Sequence, residues 1–193
     1  MKIGRTLDVH TRKEWRSWLS KHHASSSEIW LIYSKKGSGR PRIAYSVAVE
    51  EALCYGWIDS IVKSIDAGRY AQRFSPRRAK SRLSELNKER IRRLIKAKKM
   101  RRAGLAILEQ HLHPPSGSAR LRRVRSGPLP QDILDAIEAN ANAWKHFPRL
   151  PASYRRIRIG FIDASRNRPD FFRRRLAYFI AMTARNKKFG MMQ

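Results

Sequence analysis

The sequence predicts an α+β fold, in which a small antiparallel sheet packed with helices is followed by an all-α module. Up to about residue 112, short apolar runs rich in β-branched and aromatic residues alternate with helical patterns. Residues 113–130 are rich in Pro, Arg, Ser and Gly and have no apolar period, which is typical of a linker. Beyond them the apolar spacing is helical. We therefore predict an α+β domain at 1–112, a linker at 113–130 and a helical module at 131–193.

The first predicted helix begins after Thr11. Thr11 and Glu14 have the spacing of a capping box, in which each side chain accepts a hydrogen bond from the backbone N–H of the other residue. Trp15, Trp18 and Leu19 then fall on one helical face. This pattern predicts an amphipathic helix.

A strand, a hairpin and further helices follow. In chain order, the remaining predicted elements are a strand at 29–33, a helix from Ser46 to Gly56, two β-like runs at 57–65 and 69–74, helices from Ser84 and from Ala103, and four helices at 131–139, 141–147, 152–165 and 170–186. The short loop 66–68 between the β-like runs is a hairpin signal because Gly68 ends it. Ser46 and Ser84 are predicted N-caps, and Gly56 is predicted to end its helix.

Two apolar stripes are predicted in the last two helices. The first consists of Tyr154, Ile157, Phe161 and Ile162. The second consists of Phe172, Leu176, Phe179, Ile180 and Thr183. Pro169 stands at a favourable first-turn position for the last helix.

The strongest feature of the composition is its positive charge. The chain has 43 Lys and Arg against 15 Asp and Glu, a formal net charge of +28, and the excess occurs in both halves. Such a chain attracts polyanions because binding releases condensed counterions. RNA, DNA, acidic phospholipid and lipopolysaccharide all qualify as partners, and charge does not choose among them.

Several other classes of protein are disfavoured. The longest apolar runs fall short of the roughly 20 residues that cross a bilayer, and the first ten residues lack the pattern of a secretory signal, so a cytoplasmic location is expected. Cys54 is the single cysteine and is predicted to be a small buried apolar residue. The six His lack metal-ligand spacing. Because nucleophile-elbow and dinucleotide-binding motifs are absent too, we predict no catalytic residue, no metal and no cofactor.

The chain resembles the bacteriocin-protection (YdeI/OmpD-associated) family. In the first part, the similarity is strongest in residues 52–60 (Ala-Leu-Cys-Tyr-Gly-Trp-Ile-Asp-Ser) and extends to residues 28–33 and 73–78. In the last part it includes residues 130–132, 154–156, 162–164 and 186–191. The sequence departs from the family pattern at Leu83, Phe161 and Ser165, where Trp, Trp and Lys are usual.

The resemblance carries expectations about fold and role. It implies an N-terminal α+β unit akin to YjbR/CyaY-like proteins and a C-terminal helical OmdA-type module. It also implies a stress-protection role connected with bacteriocins, cationic peptides and an outer-membrane porin. It brings no catalytic residues with it.

Basic residues around two segments form the predicted polyanion site. The segments are the Gly-containing loop 35–42 and the second run of the hairpin with the residues after it. The candidates are Lys35, Lys36, Arg40, Arg42, Arg69, Arg73, Arg77, Arg78, Lys80 and Arg82. Strand alternation places Tyr70 and Phe74 on the opposite face from Arg69 and Arg73, so these two rings are interpreted as core. The alternative for the basic residues is an ordinary solvated surface.

Trp57 and Asp59 are the candidates for a pocket. A half-buried Asp beside a Trp is able to have a shifted pKa and to act in acid–base chemistry. The alternative is a structural Asp that holds the hairpin through backbone amides or pairs with a cation. Both interpretations stay open at this stage.

The leading functional hypothesis is a non-enzymatic protection protein that binds a polyanion, above all nucleic acid, through a basic face. One alternative is an envelope-associated adaptor that contacts a membrane protein or anionic lipid. A further alternative is an enzyme that acts on a small anionic substrate near Asp59 and Lys36. The sequence leaves the oligomeric state open.

Overall fold

The structure is a computed structural model, and it describes residues 2–35, 39, 41–78, 81, 83–112 and 128–190, with only the backbone of 108–112. Most of the predicted linker, residues 113–127, lies outside these ranges. By contact density the chain divides into two compact units, Met1–Arg82 with Arg90–Ser118 and Leu83–Glu89 with Ala119–Gln193. The domain limits at 112 and 131 remain predictions.

The first 112 residues form four strands and four helices within the described ranges. They are β1 (Thr6–Leu7), α1 (Arg12–His22), β2 (Ile29–Ser34), α2 (Tyr45–Cys54), β3 (Trp57–Ser64), β4 (Arg69–Pro76), α3 (Glu85–Lys96) and α4 (Arg102–Leu112). The strands form one sheet of order β1-β2-β4-β3. Strand β4 is antiparallel to both of its neighbours, whereas β1 is parallel to β2. The predicted α+β class is confirmed.

One face of this sheet packs on helix α1. In the β2–β4 register Ile29 pairs with Phe74 and Tyr33 with Tyr70. The Phe74 ring lies 5.4 Å from the Trp15 ring of α1, so this is the helix side of the sheet. The core here consists of buried apolar side chains: Trp15, Leu19, Ile29, Leu31, Tyr33, Ala48, Val49, Ala52, Leu53, Trp57 and Phe74. Cys54 is buried as predicted, and burial raises the pKa of its thiol.

Local signals set most element boundaries. The predicted capping box is present, since Thr11 and Glu14 each accept a hydrogen bond from the other's backbone. Gly56 follows α2 with φ +75°, a conformation that only Gly adopts at little cost. The hairpin turn forms because the Asp66 carboxylate accepts a hydrogen bond from the Gly68 N–H (2.9 Å). The predicted N-cap of α2 was wrong: Ala44, not Ser46, occupies this position, and it provides no side-chain bond.

The last part of the chain is helical throughout, as predicted. Its helices are α5 (Gln131–Glu138), α6 (Ala141–His146), a short 3₁₀ turn (Phe147–Arg149), α7 (Ala152–Asp163) and α8 (Pro169–Ala184). Their apolar side chains meet in a second core: Ile133, Ile137, Ala143, Phe147, Leu150, Tyr154, Ile159, Ile162 and Phe179. No helix among the described residues has the combination of length and apolar character that spans a bilayer.

One core prediction in α7 was wrong. Phe161 is 52% exposed, whereas its neighbour Ile162 is buried. Adjacent residues of a helix point about 100° apart, so a narrow core contact takes one of them and turns the other outward. This error matters below, because Phe161 borders a groove.

Candidate functional site

Three of the predicted cationic residues gather at one end of the β2–β4 pair. The Lys35 Nζ donates to the Asp66 carbonyl (3.1 Å), and an Arg42 guanidinium nitrogen donates to the Ser34 carbonyl (3.1 Å). Arg69 forms an ion pair with the Asp66 carboxylate (2.8 Å), which lowers the pKa of Asp66. One of the three charges is therefore balanced within the protein.

The other described candidates have different surroundings. Arg73 lies on the sheet face opposite the helices and forms an ion pair with Glu28 (2.7 Å). Arg77 is buried within electrostatic reach of Asp59, and burial lowers the pKa of its guanidinium. Arg78 is exposed. Lys36, Arg40, Lys80 and Arg82 lie outside the described residues. Whether the ten residues form a polyanion site remains a prediction.

The proposed pocket residues Trp57 and Asp59 are separated by burial. Trp57 is a core residue whose indole N–H donates to the His23 carbonyl (3.1 Å). Asp59 is half-buried, and its carboxylate accepts a hydrogen bond from the Tyr45 hydroxyl (2.5 Å). Burial first, and then this bond to Asp59, raise the pKa of Tyr45. This geometry favours a structural role for Asp59, which joins α2 to β3.

The Tyr45–Asp59 contact predicts how stability depends on pH. Because the neutral phenol is favoured in the folded protein, this contribution is complete below the ordinary tyrosine pKa of about 10 and is lost as the pH rises toward the higher folded value. We expect Tyr45→Phe to make the alkaline fall in unfolding free energy shallower, by up to about 1.4 kcal/mol per pH unit. Urea denaturation between about pH 9 and 12 measures this slope. Tyr178→Phe, at an exposed ring, is the control, and parallel curves for Tyr45→Phe and the unaltered protein would refute the assignment.

A groove of about 350 Å³ lies between α7, α8 and the segment that follows α8. Its lining consists of Arg158, Phe161, Ile162, Phe171, Arg174, Arg175, Tyr178, Phe179 and Phe189, and we call it the aromatic–arginine groove. Its volume lies within the range of small-ligand sites, and most of its lining is apolar. Phe161, Phe171 and Tyr178 are each at least half exposed (52%, 50% and 53%).

The chain turns back after α8 to complete this groove. Asn186 has φ +54°, a conformation that Asn tolerates better than most residues. Phe189 then docks on α7, where its N–H donates to the Tyr154 hydroxyl (2.9 Å) and its carbonyl accepts from Arg158. The Phe189 ring contacts Tyr178 edge-on at 4.8 Å.

Guanidinium groups lie directly on the rings of the groove. Arg175 lies 3.8 Å from the centre of the Phe161 ring and donates to the Phe161 carbonyl (3.1 Å). Arg158 lies 4.4 Å from the centre of the Phe189 ring, and its Nε has no hydrogen-bond partner among the described residues. Arg158, Arg174 and Arg175 form no ion pair with a described carboxylate. The groove thus combines aromatic surface with three cations that lack a counter-charge.

Sequence reasoning missed this groove. Phe161 was assigned to the core, and Phe171 and Tyr178 fell outside the predicted stripes without being assigned a role. An available signal was the exclusion of these two rings from the apolar face of the last helix, because a large ring off the core face is exposed unless another element covers it. In the described ranges, His, Cys, Asp and Glu form no group of three or more that could hold a metal ion.

Comparison with protein families gives two matches. Residues 7–107, just over half of the chain, match a family described as a domain of unknown function, DUF8412. The chain belongs to this family. The C-terminal residues 127–186 match a second family, described as Bacteriocin-protection, YdeI or OmpD-Associated (OmdA). No curated protein and no solved structure matches the chain.

These matches divide the earlier resemblance into two parts. For the C-terminal part, the OmdA resemblance is confirmed, and this region contains every residue of the aromatic–arginine groove except Phe189. For the N-terminal part, the expected kinship with YjbR/CyaY-like proteins is not supported, because the matching family is DUF8412. A small sheet with helices on it is compatible with many α+β folds, so the pattern of elements alone did not distinguish them.

Proposed function

We propose that this DUF8412 protein is a non-enzymatic protection protein of the bacteriocin-protection type that acts by binding nucleic acid. The OmdA match of residues 127–186 supports the protective role, as the description of that family names it. In this proposal the protein acts in the cytoplasm, where nucleic acid is abundant. A cationic protein repels cationic peptides, so its protection is indirect.

The observation that carries the proposal is the size of the charge excess. Ion pairs within the protein already engage many of its carboxylates, including Glu28 with Arg73, Asp66 with Arg69, Asp132 with Arg166 and Asp170 with Arg173. Even if every carboxylate neutralised one cation, the net charge of +28 would remain. Repulsion of this size destabilises a compact chain unless a polyanion compensates it.

Titration against duplex DNA and single-stranded RNA tests the proposal. We expect binding at low salt, with an affinity that falls by about a thousandfold between roughly 50 and 200 mM salt, as counterion release requires. Fluorescence anisotropy with labelled oligonucleotides measures both quantities. If neither nucleic acid binds even at the lowest salt concentration, the proposal is wrong.

Two triple variants locate the contacts. We expect Arg158, Arg174 and Arg175, replaced by Gln, to lower the salt slope by about one per lost phosphate contact. Replacing Lys35, Arg42 and Arg69 by Gln should lower it less, because Asp66 already balances Arg69. The matched control is Arg173→Gln, adjacent to Arg174 but paired with Asp170 (2.7 Å).

The same titration against phosphatidylglycerol vesicles separates the proposal from an envelope-associated adaptor. Binding to vesicles without binding to nucleic acid would favour the adaptor. Cell fractionation after a mild salt wash gives an independent result, because a nucleic-acid-binding protein sediments with nucleoid or ribosomes and an adaptor with membranes.

A further inference from the structure

The aromatic–arginine groove has the chemistry of a stacking site. Exposed rings provide flat surfaces on which a nucleobase of any sequence can stack. Phe161 and Phe171 expose about half of their surface, which a soluble domain usually avoids for rings that have no partner. Arg175 already covers one side of Phe161, and such a cation–ring pair offers a base both stacking and electrostatic attraction.

The positions of the arginines favour a strand over an amphiphile with a single charge. Arg158 lies at Phe189, and Arg175 lies at Phe161, about one helical turn further along α7. Positive charge is therefore repeated along the apolar lining, as the alternating bases and phosphates of a strand require. A fatty acyl chain carries its charge at one end and would leave the other guanidinium groups without a counter-charge.

The rings also favour a single strand over a duplex. In a duplex the faces of the bases are covered by their neighbours, so its outer surface consists of phosphates, sugars and base edges. Such a surface satisfies the arginines but leaves the rings of Phe161, Phe171 and Tyr178 without an apolar partner. An unpaired base buries them.

We propose that the aromatic–arginine groove binds single-stranded nucleic acid, with an unpaired base on Phe161 and Phe171 and the adjoining phosphates on Arg158, Arg174 and Arg175. This proposal rests on the proposed function and specifies its ligand class. It implies that the protein distinguishes strands by their bases as well as by their charge.

Three probes of equal length test the proposal with the full-length protein: an oligothymidylate of about 20 nucleotides, an abasic deoxyribose-phosphate strand and a duplex. The variant replaces Phe161 and Phe171 together by Leu, which keeps the groove apolar and removes the rings. The matched control is Trp144→Leu, since Trp144 is an exposed ring of the same unit outside the groove. Circular dichroism verifies that each variant is folded.

We expect the unaltered protein to bind the oligothymidylate at least about tenfold more tightly than the abasic strand. The double variant should lose about 10- to 30-fold in affinity for the oligothymidylate and change little toward the other two probes. Trp144→Leu should leave all three affinities unchanged.

The outcomes separate this proposal from the proposed function. Equal affinity for the abasic strand, or an unchanged affinity in the double variant, would overturn stacking in the groove while nucleic-acid binding stands. Absence of binding to every probe at low salt would overturn both. If the double variant instead loses affinity only for phosphatidylglycerol vesicles, the groove binds lipid and the proposal is wrong.

Discussion

Glu51→Gln is expected to lower the free energy of unfolding by about 3 kcal/mol, because it removes the counter-charge of two arginines at a buried position. The Glu51 side chain is 1% exposed, and its two oxygens contact Arg16 (2.5 Å) and Arg12 (3.2 Å) of helix α1. Burial alone would lower the pKa of Arg16, but the bond and charge of Glu51 outweigh it and raise the pKa. The pair thus connects α1 to α2 through a contact that water does not replace.

Glu50→Gln is the matched control for this prediction. Glu50 is the adjacent residue and also contacts two arginines, Arg12 (2.8 Å) and Arg93 (3.4 Å), but its side chain is more exposed. We expect its loss to cost at most about 1 kcal/mol and to shrink with added salt, whereas the effect of Glu51→Gln persists. Urea denaturation with and without sodium chloride measures both. Equal losses in the two variants would show that burial of Glu51 is not the cause.

Gly104→Ala is expected to destabilise the protein by about 2 kcal/mol, although alanine is the better helix former. A Cβ atom at Gly104 would lie 2.3 Å from the Cys54 carbonyl oxygen and 2.9 Å from that of Leu53. Both are backbone atoms at the end of α2, so α4 has to move away, at a cost of about 3 kcal/mol. The gain in helix propensity, about 1 kcal/mol, offsets only part of this cost.

Gly160→Ala in α7 provides the control for Gly104→Ala. There the new Cβ would meet the Cγ of Glu85 at 2.8 Å, the movable part of a flexible side chain. We expect a change close to zero, since the gain in helix propensity and the small rearrangement nearly cancel. Urea denaturation followed by tryptophan fluorescence compares the two variants. A stability of Gly104→Ala equal to that of the unaltered protein would contradict the close contact between α4 and α2.

The accuracy of the sequence-based predictions depended on the range of the interactions. The capping box of Thr11 and Glu14 and the Asp66–Gly68 turn each involve residues within three positions, and both were predicted. Strand β1 was not predicted, because two residues are too few to display a period and its formation requires β2 beside it. The burial of Arg77 next to Asp59 was missed for the same reason, as it depends on elements distant in sequence.

The candidate site illustrates the same limit. The basic residues were visible as a composition, but which of them are balanced by carboxylates was not. The Glu28–Arg73 pair joins residues on two strands, and the Asp132–Arg166 pair joins two helical segments. The groove likewise requires Phe189 to fold back onto Tyr154 of α7.

The sequence by itself determined the order and type of most elements, the charge of the chain and the resemblance of its C-terminal part to the OmdA family, because these depend on local spacing and residue type. Tertiary structure alone decided which face of α7 is buried, which arginines lack a carboxylate and how α7, α8 and Phe189 enclose a groove. The physical reason is that burial and ion pairing are properties of contacts between distant segments. Phe161 shows it best, since its helical spacing fits a core stripe and only the packing of its neighbours leaves the ring exposed beside Arg175.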